Sequence, residues 1–190
     1  MNIVDKTFTQ RITAFESIDV DLEKCVSYVY RKLEERKDDD AKSIRGGYQL
    51  RGIFNDPEWR EMFQPACSDI YEAGHHWSQL SLPEMGKAKF NVYFCNMWVN
   101  FSPPGAYNVM HTHPNSNLSG VFYLKSNPDC GSIVFPDPYQ NSMYAQECIR
   151  YEPKPGRGLV FSSKLLHYVE TNFSSDDRIS LSFNIRIDPI

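Results

Sequence analysis

The chain has 190 residues, of which 41% are hydrophobic, and its formal net charge is -4. Its Lys and Arg residues are scattered, so no basic face is predicted, and this argues against nucleic acid binding. The N-terminal residues lack the apolar core of a signal peptide and no long apolar run follows, so we expect a cytoplasmic protein with no membrane partner. A chain of this length buries one substantial core, so we expect a single domain spanning residues 1–190.

The first predicted helix lies in the N-terminal half, where residues 1–88 are expected to be mainly helix and loop. The segment "SIDVDLEKCVSYVYRKLEERKDD" offers Asp19 or Asp21 as a helix N-cap. Its apolar residues recur at helical spacing, at Leu22, Val26, Val29 and Leu33. We expect this helix to pack one face on a core.

A second helix is predicted in "NDPEWREMFQPACSDIYEAGHHWSQL". Asp56 is placed to cap it, and Pro57 lies at a first-turn position, where its missing N–H is not needed. Pro65 is expected to begin a new helix or to kink this one. Trp77, near the end of the segment, and Trp98, further along the chain, are predicted to be core residues.

From residue 89 onward the pattern becomes that of strands. The segment "KFNVYFCNMWVNFS" alternates and is rich in aromatic and β-branched residues. Turn signals separate further strand candidates, which are Leu118–Leu124, Gly131–Phe135, Gly158–Phe161, His167–Glu170 and Arg178–Ile187. We predict a mainly β fold, an antiparallel sandwich or barrel over residues 89–190 with N-terminal helices supporting it.

Five cysteines are spread along the chain with no Cys-x-x-Cys pair. They are Cys25, Cys67, Cys95, Cys130 and Cys148. Their odd number and wide spacing differ from a disulfide framework and from a zinc site. We therefore predict reduced core residues.

Two histidines lie one residue apart in "YNVMHTHPNSNLSGVFYL", just before a strand-like run. In a strand, residues i and i+2 face the same side, so His111 and His113 can direct both imidazoles at one metal ion. His167, which begins a later predicted strand, is the third candidate ligand. His75 and His76 are adjacent on a predicted helix, where their side chains diverge by about 100°, so they are not candidates.

A metal site is one interpretation of these residues, because a histidine in a sheet is often hydrogen-bonded or at the surface. A non-haem iron oxygenase site uses two histidines and a carboxylate. Arg178 begins a predicted strand and Ser180 lies on the same face, which suits the binding of a carboxylate. A metal with a fixed guanidinium nearby is what a chelating 2-oxo diacid requires.

Residues 90–187 resemble the 2-oxoglutarate and Fe(II)-dependent oxygenases. The matching segments, in chain order, are "MWVNFSPPGAYNVMHTHPNSNLSG", "GSIVFPDP", "GLVFSSKLLHYVE" and "RISLSFNIR". They are similar to a prolyl-hydroxylase-like subgroup that carries a histidine-x-histidine-proline-asparagine-serine motif. The resemblance implies a double-stranded β-helix, a cupin-like jelly roll with the metal inside one mouth.

The resemblance also implies the ligands and the cosubstrate. The family's iron ligands fall on His111, His113 and His167, and the implied cofactors are Fe(II), 2-oxoglutarate as cosubstrate and O2. The arginine and serine that bind the far carboxylate of 2-oxoglutarate fall on Arg178 and Ser180. With the three histidines, Arg178 completes the residues expected to be catalytic.

Two further residues are implied to bind 2-oxoglutarate. The tyrosine that prolyl-hydroxylase-like members place before a leucine falls on Tyr123, and Asn108 is a candidate for the keto-acid end. The departure from the superfamily is His113, which stands where most members have a carboxylate and leaves the iron more positive by one charge. Asp137 is the nearest carboxylate that could replace it, although its place in "FPDP" also favours a turn.

The implied reaction is the hydroxylation of a small-molecule or peptide substrate, with release of succinate and CO2. The substrate would enter at a mouth bounded in part by the segment Pro138–Pro155. One alternative is a three-histidine, cupin-type dioxygenase that acts without 2-oxoglutarate. Another is a non-catalytic jelly-roll binding protein. A homodimer through the helical face is also consistent with the resemblance.

Overall fold

The described part of the chain folds into two antiparallel sheets and two long helices. The computed structural model of the protein describes residues 10–35, 43–81, 90–137 and 148–189. The helices are α1 (Leu22–Glu34) and α2 (Pro57–Ser81), and a 3₁₀ turn covers Ile53–Asn55. The strands are β1 (Ile12–Glu16), β2 (Ile44–Arg45), β3 (Tyr48–Arg51), β4 (Phe90–Ser102), β5 (Tyr107–His111), β6 (Leu118–Lys125), β7 (Ile133–Pro136), β8 (Cys148–Tyr151), β9 (Arg157–Ser162), β10 (His167–Val169) and β11 (Arg178–Pro189).

The strands form a large and a small sheet. The large sheet has the order β1-β9-β6-β11-β4-β3, and the small sheet has the order β2-β5-β10-β7-β8. Every neighbouring pair with a recorded register is antiparallel. The prediction of a mainly β fold with supporting N-terminal helices is confirmed.

The large sheet is covered on both faces, and β6 shows why. Seven of its eight residues are buried, although successive side chains of a strand point to opposite faces. Leu118, Phe122 and Leu124 belong to the core shared with the helices. Val121 and Tyr123 belong to a smaller cluster between the two sheets. The helices therefore shield one face of this sheet and the small sheet shields the other.

The helix starts follow the predicted capping residues. Asp21 caps α1 by accepting a hydrogen bond from the Lys24 N–H at 3.0 Å. Asp56 accepts one from the Glu58 N–H, also at 3.0 Å, at the start of α2. The expectation that Pro65 begins a new helix is wrong, because α2 runs through it as one helix. Residues that pack on the core lie on both sides of the proline and hold the helix together.

The core-facing side of α2 forms a continuous apolar stripe. Its buried members, spaced by three and four residues, are Trp59, Phe63, Ala66, Ile70 and Ala73. Trp59 stacks on Phe63 with 5.2 Å between ring centroids, and Phe63 meets Phe122 of β6 edge-on at 5.4 Å. Burial of each such large side chain contributes about 1.5–3 kcal/mol, so this stripe fixes the helix against the large sheet.

The N-terminal half departs from the expectation of helix and loop, because it also contains three strands. β1 pairs with β9 and β3 pairs with β4, so both become edges of the large sheet. β2, of two residues, pairs with β5 at the edge of the small sheet. These strands are short, and their conformation is set by the strands they pair with rather than by a local alternating pattern.

All five cysteines are free thiols, as predicted. Cys25 and Cys130 are buried, whereas Cys95 is exposed. The prediction of core positions therefore fails for Cys95, because it is the extra residue at a bulge between Phe94 and Asn96, where its side chain is exposed. Among the described residues, no helix has the length and apolar content needed to cross a membrane.

The contact between Tyr28 and Asp56 joins α1 to the start of α2, and it can be tested. The Tyr28 hydroxyl donates to Asp56 Oδ2 at 2.7 Å, and this bond, ahead of the backbone N–H bonds, lowers the pKa of the Asp56 carboxyl. We expect Tyr28→Phe to lower the free energy of unfolding by about 1–2 kcal/mol at neutral pH. Because the carboxyl pKa is depressed in the folded state, this difference should shrink as the pH falls below the ordinary value for Asp.

Urea unfolding at a series of pH values measures this effect. The matched control is Tyr93→Phe, because the Tyr93 hydroxyl donates to Asp188 Oδ2 at the same 2.7 Å but at an exposed position. We expect a much smaller change in this control. Equal losses of unfolding free energy in the two variants would show that the Tyr28 bond stabilises the fold no more than the exposed Tyr93 bond does.

Candidate active site

One cavity between the two sheets contains every residue that the sequence analysis assigned to the site. Its lining combines the three histidines with Arg178, and it includes the cosubstrate candidates from three strands. The predicted residues that line it are Asn108, His111, His113, Tyr123, His167, Arg178 and Ser180. The fold thus brings together side chains that lie up to 72 residues apart in the chain, from position 108 to position 180.

His111 and His167 are direct neighbours on paired strands. β5 and β10 are antiparallel with His111 opposite His167, and the two ring centroids are 4.4 Å apart. His111 Nδ1 donates to the Val109 carbonyl at 2.7 Å, and His167 Nδ1 donates to the Leu165 carbonyl at 2.8 Å. A carbonyl can only accept, so both rings carry the proton on Nδ1 and present Nε2 as a free lone pair.

His113 reaches the same point from a loop. β5 ends at His111, so the expectation that both histidines lie on one strand is wrong for His113. Its position is set instead by its backbone N–H, which donates to the Ser163 carbonyl at 2.8 Å. The Nε2 atoms of His113 and His167 lie 3.3 Å apart. The loop therefore places the third imidazole on the side of the cavity where the other two converge.

The three imidazoles fit a metal ion. Their ligand atoms all lie within 4.8 Å of one another, and two nitrogens bound to the same ion at about 2.1 Å are separated by about 3.0–3.4 Å. Burial, with the nearby His111 as a smaller cause, lowers the pKa of His167 to about 3 and that of His113 to about 4. Burial also lowers the pKa of His111. Neutral imidazole is the form that binds a metal, so all three are ready to bind at neutral pH.

The convergent group contains no carboxylate among the described residues. Asp137, the carboxylate considered as a replacement ligand, directly follows β7 and is not part of this group. His75 and His76 are exposed on α2, away from the cavity. The described residues therefore offer three neutral nitrogen ligands, which leave the charge of a divalent ion unreduced.

Arg178 is a large, fully buried, charged side chain that lines the same cavity as the triad. It begins β11 and is only 1% exposed, and burial lowers the pKa of its guanidinium. Its Nη1 donates to the backbone carbonyls of Cys130, Gly131 and Glu170. Its Nη2 is buried with no hydrogen-bond partner in the described part of the chain. A buried cation held by carbonyls alone is unfavourable, so the site fits an anionic group of a ligand.

The remaining cosubstrate candidates surround this guanidinium. Ser180 and Tyr123 face each other across the β11–β6 pair, and both are buried. Burial raises the pKa of the Tyr123 phenol, so its hydroxyl stays a hydrogen-bond donor. Asn108 is buried on β5, where its Nδ2 donates to Ser43 Oγ at 3.2 Å. Together they add neutral polar groups around the one cation of the cavity.

The cavity also contains residues that the sequence analysis missed. Trp98 was predicted to be a core residue, but it lines the cavity and its ring centroid is 5.7 Å from that of His113. Asn100 and Ser182 line the cavity as well. The alternation of β4 could have revealed them, since Met97 and Val99 are buried in the helix-side core while Trp98 and Asn100 face the other way.

A wider and more open groove lies nearby. It is lined by exposed residues such as Tyr107, Met110 and Phe173, and also by Tyr168 and Glu170. It contains neither the histidine triad nor Arg178. We place the reactive site in the smaller cavity, because it is lined by the histidine triad and by Arg178, whose Nη2 has no partner among the described residues. Residues 138–147, the first part of the segment predicted to bound the mouth, lie outside the described residues.

The family model described as "Putative 2OG-Fe(II) oxygenase" matches residues 96–184. This range contains all seven predicted site residues. A search of curated proteins found no match. The sequence similarity to a family thus lies in the jelly-roll part of the chain.

Solved structures share the fold along most of the chain. A prolyl-4-hydroxylase from Pseudomonas putida has a TM-score of 0.62 at 20% identity, covering 94% of this chain and 93% of that one. A prolyl hydroxylase from Trichoplax adhaerens, in complex with a peptide fragment of the hypoxia inducible factor oxygen degradation domain, has a TM-score of 0.64 at 16% identity, covering 91% and 83%. HygX from Streptomyces hygroscopicus, with nickel and 2-oxoglutarate bound, has a TM-score of 0.59 at 10% identity, covering 94% and 83%.

At these identities the solved structures establish the jelly-roll fold, which the sequence analysis predicted. The family-model match adds the chemistry, because it falls on the segment that carries the histidines, Arg178 and Ser180. The triad fits Fe(II), and the Arg178 Nη2 without a partner among the described residues fits a carboxylate of 2-oxoglutarate. The match over residues 96–184 therefore confirms the resemblance drawn from the sequence, since the jelly-roll part of the chain is similar to the 2-oxoglutarate/Fe(II)-dependent oxygenases.

Proposed function

We propose that this oxygenase hydroxylates a C–H bond of a small-molecule or peptide substrate, with 2-oxoglutarate and O2 converted to succinate and CO2. The observation that carries this proposal is the buried Arg178 guanidinium, whose Nη2 has no partner among the described residues. An anionic cosubstrate of the 2-oxo diacid type would supply that partner. A peptide substrate is supported by the prolyl hydroxylase of this fold that was solved with a peptide fragment.

In this proposal the iron ligands are His111, His113 and His167. The Val109 and Leu165 carbonyls orient two of these rings, so that Nε2 faces the metal position without a change of tautomer. Bound Fe(II), with 2-oxoglutarate and O2, supplies an oxidative decarboxylation coupled to insertion of one oxygen atom into the substrate C–H bond. The chain's own task is to position these partners and to exclude water.

Arg178 and Ser180 are proposed to bind the far carboxylate of 2-oxoglutarate. Nη2 of Arg178 donates one charge-assisted hydrogen bond, while its Nη1 stays fixed by the three carbonyls. The Tyr123 hydroxyl is available on the facing strand, and Asn108 lies toward the triad on β5. This arrangement orients the cosubstrate with its keto end toward the histidines.

Apolar side chains close the cavity around these polar groups. Val121, Ile133 and Phe161 line it together with the triad, and all three are buried. A dry site strengthens the attraction between Arg178 and a carboxylate, and it protects reactive species from water.

We also propose that residues 1–190 act as one oxygenase domain, since β1 and β3 from the N-terminal half complete the large sheet.

A second candidate, a three-histidine dioxygenase that acts without 2-oxoglutarate, is favoured by one observation. The convergent ligand group among the described residues has no carboxylate. This candidate gives Arg178 no ligand to bind. The two proposals therefore differ in the effect of changing that residue.

One prediction of this proposal concerns His113 as the third metal ligand. We expect His113→Ala to weaken Fe(II) or Co(II) binding by more than about tenfold, since even outer-shell partners of a metal site contribute about 10–100-fold. His113→Asp should restore binding, because a carboxylate replaces the lost ligand. Anaerobic titration calorimetry measures both, with His75→Ala on the exposed face of α2 as the matched histidine control. Unchanged affinity in His113→Ala would remove His113 from the ligand set.

The second prediction concerns the cosubstrate. We expect Arg178→Met to weaken 2-oxoglutarate binding by at least about thirtyfold, since loss of one partner of a buried charge pair costs about 2–5 kcal/mol. Metal affinity should change little, because the hydrogen bonds of Arg178 go to backbone carbonyls at Cys130, Gly131 and Glu170. The measurement is anaerobic titration of the Fe(II)-loaded protein with 2-oxoglutarate, followed by the visible charge-transfer band of the chelated keto acid.

The matched control is Arg186→Met, a change to an exposed arginine on the same strand. It should leave the titration unchanged. A band of normal affinity in Arg178→Met would remove Arg178 from the cosubstrate site. If iron binds but no band forms in the parent protein, the three-histidine dioxygenase becomes the better description.

A further inference from the structure

Unpartnered polar atoms mark two places in the cavity. Among the described residues, the buried side-chain atoms without a hydrogen-bond partner are Ser17 Oγ, Trp59 Nε1, Trp98 Nε1, Ser102 Oγ and Arg178 Nη2. Only Trp98 and Arg178 of this group line the cavity with the triad. Buried polar atoms are rarely left unpaired. Arg178 is accounted for by the cosubstrate, whereas the proposed function gives Trp98 no role.

Trp98 lies at the far end of the cavity from Arg178. On β11, Arg178 is opposite Ser102 and Ser182 is opposite Trp98. These two positions are four residues apart along the strand, a distance of about 13 Å. The Trp98 ring lies against the ring of His113. The indole therefore borders the metal position on the side away from the cosubstrate carboxylate, which the proposed function leaves for a primary substrate.

Ser182 adds a second donor beside the indole. Arg51 Nη2 donates to Gln49 Oε1 at 2.9 Å, which turns the Gln49 amide so that its Nε2 donates to Asn100 Oδ1 at 2.8 Å. Asn100 Nδ2 in turn donates to Ser182 Oγ at 2.8 Å. An arginine can only donate, so this chain has one direction. It makes Ser182 Oγ an acceptor and leaves its own hydroxyl hydrogen for another group.

Two donors on directly opposed residues fit one carbonyl oxygen. Trp98 Nε1 can only donate, and a carbonyl oxygen has two lone pairs that accept from two directions. The indole would repel an ammonium group placed against its N–H. Among the described residues that line the cavity, Arg178 is the only Lys or Arg side chain. Arg51, opposite Trp98 on β3, lies outside this lining and donates to Gln49 Oε1, so a carboxylate at this end would meet no cation within the cavity.

We propose that Trp98 Nε1 and Ser182 Oγ bind a neutral amide carbonyl of the primary substrate and so set which C–H bond faces the metal. This inference rests on the proposed function, because it assumes that Arg178 and the triad are occupied by cosubstrate and metal. It assigns Trp98 and Ser182 as substrate-positioning residues. Neither residue is a metal ligand or a cosubstrate ligand.

The test follows the indole hydrogen directly. The chain has three tryptophans, so the ¹⁵N-labelled protein gives three indole N–H signals, which the variants Trp59→Phe, Trp77→Phe and Trp98→Phe assign. The protein is loaded with Zn(II), which is diamagnetic, and with 2-oxoglutarate. The probes are N-acetylglycine N-methylamide, a peptide-like amide, and 2-pyrrolidinone, a small cyclic amide. Propionate and propylammonium are the charged comparison compounds.

We expect both amides to move the Trp98 indole signal downfield with saturation, and the two charged compounds to leave it in place. Trp98→Phe keeps the ring against His113 and removes only the donor, so it should weaken amide binding about three- to tenfold. Ser182→Ala should do the same and serves as the second variant if Trp98→Phe folds poorly. Trp59→Phe is the matched control, since its Nε1 is also buried and unpartnered but lies on α2, outside the cavity.

The results distinguish a peptide substrate, a small-molecule substrate and a failure of the inference. Tighter binding of the peptide-like amide supports a peptide substrate, and tighter binding of the lactam supports a small molecule. No movement of the Trp98 signal up to the solubility limit of both amides overturns the inference, as does an equal shift from propionate or propylammonium. Unchanged amide affinity in Trp98→Phe and Ser182→Ala also overturns it. In these cases the 2-oxoglutarate band of the Fe(II) protein remains, whereas an absent band in the parent protein overturns the proposed function and this inference together.

Discussion

The burial of the large sheet on both faces is the constraint on which the rest of the structure depends. Most of the buried apolar residues belong to the core between this sheet and the helices, and only a small cluster lies between the two sheets. The stripe of α2, which includes Trp59 and Phe63, contributes much of the first core. Because the helices supply this apolar contact, the space between the sheets can hold polar groups without the loss of the fold.

In the site, backbone carbonyls and burial determine which side chains are neutral and which is charged. The Val109 and Leu165 carbonyls fix the tautomers of His111 and His167, and burial keeps the imidazoles neutral. Carbonyls also bind Nη1 of Arg178, while its Nη2 has no partner in the part of the chain that the structure describes. The protein therefore presents neutral nitrogens at one position and an unneutralised cation at another, and a ligand must complete both.

Much of the fold and the site can be predicted from the sequence where local patterns agree with the final contacts. The aromatic and β-branched run of β4 and the caps Asp21 and Asp56 are local signals, and the structure bears them out. The edge strands β1 and β3 could not be found this way, because pairing with β9 and β4 creates them.

For the site residues, too, local sequence predicts some features, whereas contacts with distant residues determine others. The spacing of His111 and His113 predicted their convergence, but the end of β5 and the bond from the His113 N–H to Ser163, which lies far along the chain, set the geometry. Trp98 was misassigned because an aromatic residue in a strand is usually apolar core. Its neighbours on the same face, Asn100 and Ser102, are the polar signal that distinguishes an inner face lining a cavity from one lining a core.

The attachment of Arg178 to carbonyl oxygens affects how the site tolerates mutation. Its partners at Cys130 and Glu170 are peptide groups, so side-chain replacement at either position leaves the acceptor atoms unchanged. Gly131 is the exception, because its φ is +86° and an added Cβ would lie 2.4 Å from the Glu170 carbonyl oxygen. Replacement at Cys130 or Glu170 thus keeps the acceptor carbonyl, whereas at Gly131 a single methyl group would displace the anchoring peptide.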